Sequence, residues 1–283
     1  MKNVIFTILI VFLGFTSFAQ QKSFDVKIIG KGKPVVLIPG YSCSGDVWKE
    51  TADHLKNKYQ LHILTLAGYA GTKPIDSPIL QTVHNEIIAY VKTNKLNKPI
   101  VIGHSLGAFM GLWLSSSEPD LFGKLICVDG VPFISALTNP DITADSLKDD
   151  PRYNLEAVIN NFKAIPNEGY VDYMTKAMLY QVQDSTRARQ IAEWSYASDR
   201  RTLGATIIEM SLTDLRKDIA RIKSPVLVLT SLFNTKENSA KIYNQQYAAL
   251  PNKTIKVADS KHFIMYDQPE WFYTEIDTFL NSK

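Results

Sequence analysis

Gly103-His104-Ser105-Leu106-Gly107 lies between two apolar runs, Ile100-Val101-Ile102 before it and Ala108-Phe109-Met110-Gly111-Leu112-Trp113-Leu114 after it. Strand, tight turn, helix is what these residues spell. A serine on so sharp a turn needs small residues two positions before and two after, because a side chain there collides with strand or helix. The turn lifts the hydroxyl above the sheet and aims the next helix's first N–H groups at any negative charge developing beside it. A glycine-bounded turn with an incidental serine has the same five-letter pattern, so the flanks and the partners elsewhere in the chain decide between the two.

The rest of the chain supplies the sheet that such a turn requires. Apolar or alternating strand segments fall at residues 24–29, 35–38, 61–66, 100–102, 124–129, 225–230 and 254–258. Helical spacing falls between them, at 47–57 and 80–94 early in the chain and at 239–249 and 270–280 near its end. This alternation predicts an α/β fold with a doubly wound, mostly parallel sheet. The rhythm breaks over residues 131–215, where apolar spacing is helical (155–164, 170–182, 186–197, 203–210) and no strand pattern occurs. A helical insertion between two strands is most simply a cap over one sheet edge. The organisation expected is therefore core over 20–130, cap over 131–215 and core again over 216–283.

Residues 1–19 stand apart. Met1-Lys2 is a short basic start, residues 4–15 are an apolar run, and Ser17-Phe18-Ala19 places small residues where a signal peptidase cuts. The run is shorter than the roughly 20 apolar residues of a spanning helix. It reads as a secretory signal peptide that would send the chain to the periplasm or the medium, with no stable membrane insertion after cleavage. The formal net charge of the 283-residue chain is +3, with no basic stripe, which argues against a nucleic-acid partner. Cys43 falls in a loop and Cys127 inside an apolar strand, so they read as separate thiols rather than a disulfide or a metal site.

A serine hydroxyl needs a base within hydrogen-bond reach to become a nucleophile. Of the five histidines, His54, His62 and His84 sit on early elements as structural or surface residues, and His104 would pack beneath the serine. His262 follows the last strand, in Asp259-Ser260-Lys261-His262-Phe263. Loops at the carboxyl ends of doubly wound strands gather at one edge, so His262 and Ser105 can meet there. An acid should orient the imidazole. The loop after residues 225–230 is the usual place, yet it carries Asn234 where the carboxylate is expected. Asp129, ending the strand after the serine helix, is the first candidate, and Glu237 is the alternative. For a developing oxyanion the amides of Leu106 and Tyr41 are the candidate donors, the latter made accessible by Gly40.

With these residues in view, the chain resembles the α/β-hydrolase superfamily, in its cap-bearing branch of serine hydrolases. The resemblance rests on the Pro39-Gly40-Tyr41 loop, the Gly103 to Gly107 turn, the helical insertion and His262-Phe263 before the last helix. It implies an eight-stranded, mostly parallel sheet, a Ser–acid–His triad and no cofactor. The expected activity is cleavage of a small-molecule carboxylic ester, or of an amide, through an acyl-enzyme. Phe133, Tyr173, Met174, Met178, Trp194 and Met210 are the candidate pocket residues, each of which can equally serve as helix-packing core. The alternatives are a weak or inactive hydrolase fold that binds a small ligand, and a peptidase, acyltransferase or lyase built on the same triad.

Overall fold

The computed structural model describes residues 22–282, so the signal peptide read over residues 1–19 lies outside the described residues. The apolar runs become strands because both of their faces find cover. The sheet consists of β1 (Phe24–Gly30), β2 (Lys33–Ile38), β3 (Tyr59–Leu66), β4 (Ile100–His104), β5 (Leu125–Val128), β6 (Val226–Thr230) and β7 (Lys253–Val257). Their order is β1-β3-β2-β4-β5-β6-β7, with β1 antiparallel to β3 and every other pair parallel. The eight strands implied by the family resemblance are thus seven among the described residues. β1 is exposed at Asp25, Lys27, Ile28 and Gly30 and half-buried at Val26 and Ile29, as an edge strand can be, and no eighth strand flanks it there.

Side chains alternate between two cores. Val36, Ile38, Val101, Leu125, Cys127 and Val228 point into one, with the helices Ile79–Thr93 and Leu106–Ser117. Their neighbours Val35, Leu37, Ile102, Ile126, Val128 and Leu229 point into the other, where Phe272 and Ile276 of the helix Pro269–Asn281 meet them. A central parallel strand covered on both faces has to be apolar at every position, which is why these segments read as unbroken runs. The chain leaves β2 toward β3 on one side and later returns to place β4 on the other. The crevice at such a switch point opens beyond the carboxyl ends of β2 and β4.

Between β5 and β6 the described structure is helical, chiefly Leu155–Ala164, Tyr170–Met178, Ser185–Ala197 and Arg200–Ser211. The insertion closes on itself, since the Leu215 N–H donates to the Pro132 carbonyl at 3.1 Å. Three of these helices start on side-chain caps: Asn154, Asp184 and Asp199 accept from Ala157, Arg187 and Thr202 N–H respectively. Each such cap stabilises its helix by about 1 kcal/mol. The Asp199 cap begins the last helix at Arg200, three residues before the apolar spacing predicts.

The insertion is seated on the core by polar contacts. Glu209 accepts from Ile79 N–H (2.9 Å) and Leu80 N–H (2.6 Å) at the start of Ile79–Thr93, where helix N–H groups otherwise lack partners. Burial pushes its carboxyl up, and those two bonds oppose the shift. The loop after β3 is pinned as well. Gly68 accepts from Asp199 N–H at 2.7 Å, and a Cβ on Gly68 would come within 2.3 Å of Thr202 Oγ1.

Candidate active site

Ser105 adopts φ 54° and ψ −116°, a backbone conformation that residues other than glycine rarely take. Its neighbours explain how the chain holds it. A Cβ on Gly103 would lie 2.1 Å from the Gly107 carbonyl oxygen, and one on Gly107 would lie 2.1 Å from the Ile38 oxygen. Glycine at both positions lets β4, the turn and the helix Leu106–Ser117 pack at backbone distance. The Ser105 N–H donates to Val128 of β5 at 2.8 Å, fixing the turn to the sheet rim. Leu106 and Gly107 are the first residues of that helix, where amides have no acceptor one turn earlier.

The loop after β2 closes over the same point. A Cβ on Gly40 would lie 2.7 Å from His104 Nδ1 and 3.3 Å from Ser105 Cβ, so the backbone leading into Tyr41 lies against the serine. Tyr41 is tied to the insertion by its hydroxyl, which donates to the Leu203 carbonyl at 2.9 Å. Its ring meets Tyr69 edge-on.

His262 Nδ1 lies 2.6 Å from Asp129 Oδ2. Asp129 is buried and carries φ 46°, and its amide donates to Leu229 at 2.7 Å. Oδ1 also accepts from Ser231 N–H (2.7 Å) and Tyr243 O–H (2.8 Å), and Oδ2 accepts from Ser231 Oγ–H (2.8 Å). Burial alone would raise this carboxyl's pKa. The bond from His262, the attraction an imidazolium there would exert and the two bonds from Ser231 outweigh burial and hold the group below the usual carboxylate range. An ionised Asp129 accepts only, so Nδ1 is the protonated nitrogen of His262 and Nε2 is left free to accept.

Glu237, the alternative acid, is exposed in the first turn of Lys236–Gln246, started by the Thr235 cap. The helix thus starts three residues before the apolar spacing predicts, Glu237 is exposed on it, and His262 Nδ1 is engaged by Asp129 instead. Ser231 and Tyr243 did not stand out in the sequence. Ser231 follows β6 at the place where an acid was sought, which is a signal of position; Tyr243 gave none.

His104 is fully buried under the serine turn, its ring centroid 4.6 Å from those of His262 and Phe263. Its Nε2–H donates to the His262 carbonyl at 3.1 Å, while Nδ1 has no hydrogen-bond partner among the described residues. Burial, then the neighbouring His262, pushes its pKa down to about 3, so it stays neutral and fixes the backbone of the residue above it. The His262 loop is held from the insertion too. Phe263 N–H donates to Gln181 at 3.1 Å, and Lys261 Nζ donates to Leu179.

Ser105 and His262 both line two cavities. The smaller, about 150 Å³, has Phe109, Val131, Ile134, Met210 and Phe233 in its wall. The larger, about 340 Å³, is walled by Tyr41, Phe162, Tyr170, Met174, Met178 and Leu203. Of the residues expected at a pocket, Met174, Met178 and Met210 are there, and three are not. Phe133 packs with Ala136 and Leu147 in a small separate core, under the Arg216 guanidinium. Tyr173 is 70% exposed, on the outer face of its helix. Trp194 packs against the second sheet core. Helical spacing identifies an apolar face but not what that face meets.

Cys43 and Cys127 are separate buried thiols, each pushed up to about 12 by burial. Neither supplies a thiolate near neutral pH. Among the described residues no group of three or more His, Cys, Asp or Glu side chains could hold a metal ion, and no helix is long and apolar enough to cross a membrane.

Residues 35–275 match the sequence model described as "Alpha/beta hydrolase family". The chain is similar to the Karrikin insensitive 2 receptor CA of Petunia hybrida, 31% identical over 150 residues. That match covers 51% of this chain and 55% of the receptor, so it spans about half of the relative's length. It is also similar to the pimeloyl-[acyl-carrier protein] methyl ester esterase of Vibrio cholerae, 22% identical across 89% of this chain and 93% of the esterase. Among solved structures, the enol-lactonase from Burkholderia xenovorans superposes with a TM-score of 0.74 at 14% identity. It covers 92% of this chain and 96% of the lactonase, a likeness of fold.

Proposed function

The chain belongs to the alpha/beta hydrolase family, and from that premise we propose that it is an enzyme of the hydrolase type, an exported serine esterase with Ser105, His262 and Asp129 as its triad. The observation that carries the reading is the 2.6 Å contact between His262 Nδ1 and Asp129 Oδ2 at the rim of cavities that Ser105 also lines. Ser105 Oγ attacks the ester carbonyl while His262 Nε2 takes its proton. Asp129 holds the imidazole in the tautomer that can accept, and stabilises the imidazolium that forms. The amides of Leu106 and Tyr41 receive the oxyanion, and the collapse of the tetrahedral intermediate passes the proton from His262 to the leaving alcohol. Water then repeats the sequence on the acyl-enzyme, restoring Ser105 and releasing the acid.

The esterase named among the relatives supports an ester over an amide, and the apolar walls of both cavities support an organic small-molecule substrate. Export rests on the signal-peptide pattern of residues 1–19, and the N-terminal sequence of the protein recovered from the host's periplasm or medium tests it. The test of activity is a panel of p-nitrophenyl esters and aminoacyl anilides with wild type and Ser105→Ala. Hydrolysis of esters by wild type alone supports the reading. Equal rates for both proteins, or no turnover of any ester, would sink it. A non-catalytic, ligand-binding role, the reading favoured by the partial match to a plant receptor, predicts the second outcome.

A further inference from the structure

Asp129, Ser231 and Tyr243 line the smaller cavity beside Ser105 and His262, but their polar side-chain atoms are already engaged with one another and with His262. The rest of the wall is glycine and apolar side chains, Phe109, Val131 and Met210 among them. The Asp129 carboxylate repels an anion there, and a polar group away from Ser105 finds no free side-chain donor, which makes its burial costly. An apolar space of about 150 Å³ is the size that takes up benzene, about six carbons.

One side of this cavity is unlike the others. Leu137, Phe233 and Ile242 line it and also line an outer groove, whose further residues include Asn238, Lys241 and Gln245. The two spaces adjoin along these three side chains. Leu137 and Ile242 pack against the first sheet core, whereas Phe233 joins none of the three apolar cores among the described residues and is 52% exposed. Its backbone is nonetheless fixed. Phe233 N–H donates to Ser239 Oγ at 2.6 Å, and its carbonyl accepts from Thr235 N–H (2.9 Å) and Asn238 Nδ2–H (3.1 Å). The ring is thus anchored at its root, outside any core, where the cavity meets the groove.

We propose that the smaller cavity is a subsite for one arm of the substrate, an uncharged apolar group of about six carbons, and that Phe233 is the residue that sets this limit. The larger cavity, about 340 Å³, takes the other arm, so the substrate class is an ester with one short apolar arm and one bulkier arm. That the arm belongs to an ester rests on the proposed function; the size and apolar wall of the subsite stand without it. A longer chain has to displace the Phe233 ring and then meets the polar side chains of the groove.

The test measures kcat/KM for two ester series, because Ser105 and His262 line both cavities. One varies the acid, p-nitrophenyl acetate through laurate; the other varies the alcohol, methyl through decyl butyrate, followed by pH-stat. In one series wild type should gain about fourfold per methylene up to about six carbons, then fall by roughly tenfold or more. Phe233→Ala, which removes no core contact, should carry that fall to longer chains, and Phe233→Trp should bring it to shorter ones. No fall in either series, or a fall at the same length in Phe233→Ala, would overturn the proposal. Methionine-methyl NMR of Ser105→Ala reads the subsite without turnover, since Met210 lines the smaller cavity and Met174 and Met178 the larger. Benzene should shift the Met210 methyl and butylbenzene should not; once Phe233→Ala is added, both should. Met210 unmoved by benzene, or moved alike by butylbenzene in both proteins, would overturn the subsite even where esters are cleaved. The expected shifts in a protein that cleaves no ester would keep the subsite and remove the esterase.

Discussion

Asp129→Asn is the perturbation whose consequence can be worked furthest. The carboxylate offers two acceptors to four donors: Ser231 N–H and Tyr243 O–H on Oδ1, Ser231 Oγ–H and His262 Nδ1–H on Oδ2. Asparagine replaces one acceptor with an NH₂ group. The Ser231 backbone N–H can only donate, so the amide oxygen has to stay on the Oδ1 side. The NH₂ then faces Ser231 Oγ, which can accept, and His262 Nδ1, which can accept only by moving its proton to Nε2. That is the tautomer that cannot take the Ser105 proton. The loss expected from such a swap is on the order of 10⁴ in kcat, or about 5 kcal/mol of transition-state stabilisation. The fold itself should suffer far less, about 1–3 kcal/mol for the imperfect hydrogen bonding. The assay is kcat on a p-nitrophenyl ester beside a thermal melt. A variant that melts only a few degrees lower yet loses at least a thousandfold in kcat supports the reasoning. Retention of activity within tenfold, or a comparable loss in Glu237→Gln instead, would refute it.

The same carboxylate sets an acid-stability prediction. Its folded pKa is depressed, so its contribution to stability is complete above the unfolded value of about 3.9 and disappears as pH falls through the lower folded value. Chemical denaturation of Asp129→Asn should therefore show a flatter stability profile than wild type below about pH 4. For His104, held down to about 3, the unfolded chain takes up a proton below its ordinary value of about 6.5 and the folded chain does not. Wild type should lose stability steadily from there toward pH 3, and His104→Gln should lose less over that span; equal slopes would contradict the neutral assignment. Gly107→Ala should yield little soluble protein, because its methyl would sit 2.1 Å from a backbone oxygen of β2; normal expression and melting would show that the turn has room. Glu209→Ala leaves two helix N-terminal amides without their acceptor and should cost about 1–3 kcal/mol in chemical denaturation. An unchanged midpoint would mean the insertion is not seated there.

How much was legible in the sequence follows from which forces act locally. β2, β4, β5 and β6 were readable because a strand buried on both faces must be apolar throughout. The serine turn was readable because only glycine fits two positions where backbone meets backbone. Asp129 stood out because it ends such a run. Ser231 and Tyr243, which complete its hydrogen bonding from 102 and 114 residues away, carry no comparable mark. The pocket walls were the least legible. Phe133, Tyr173 and Trp194 have the character of pocket residues, but Phe133, in extended backbone before a short 3-10 turn, enters a separate core, and helix rotation in the insertion sends Tyr173 to solvent and Trp194 to the sheet.

Reaction of the folded protein with a fluorophosphonate, followed by peptide mass spectrometry, tests most directly whether base and hydroxyl cooperate at the sheet rim. One phosphonyl group per chain on Ser105, with labelling slowed at least a thousandfold in His262→Ala, is the predicted result. A Ser105 that stays unmodified, or that reacts equally fast without the imidazole, would contradict it.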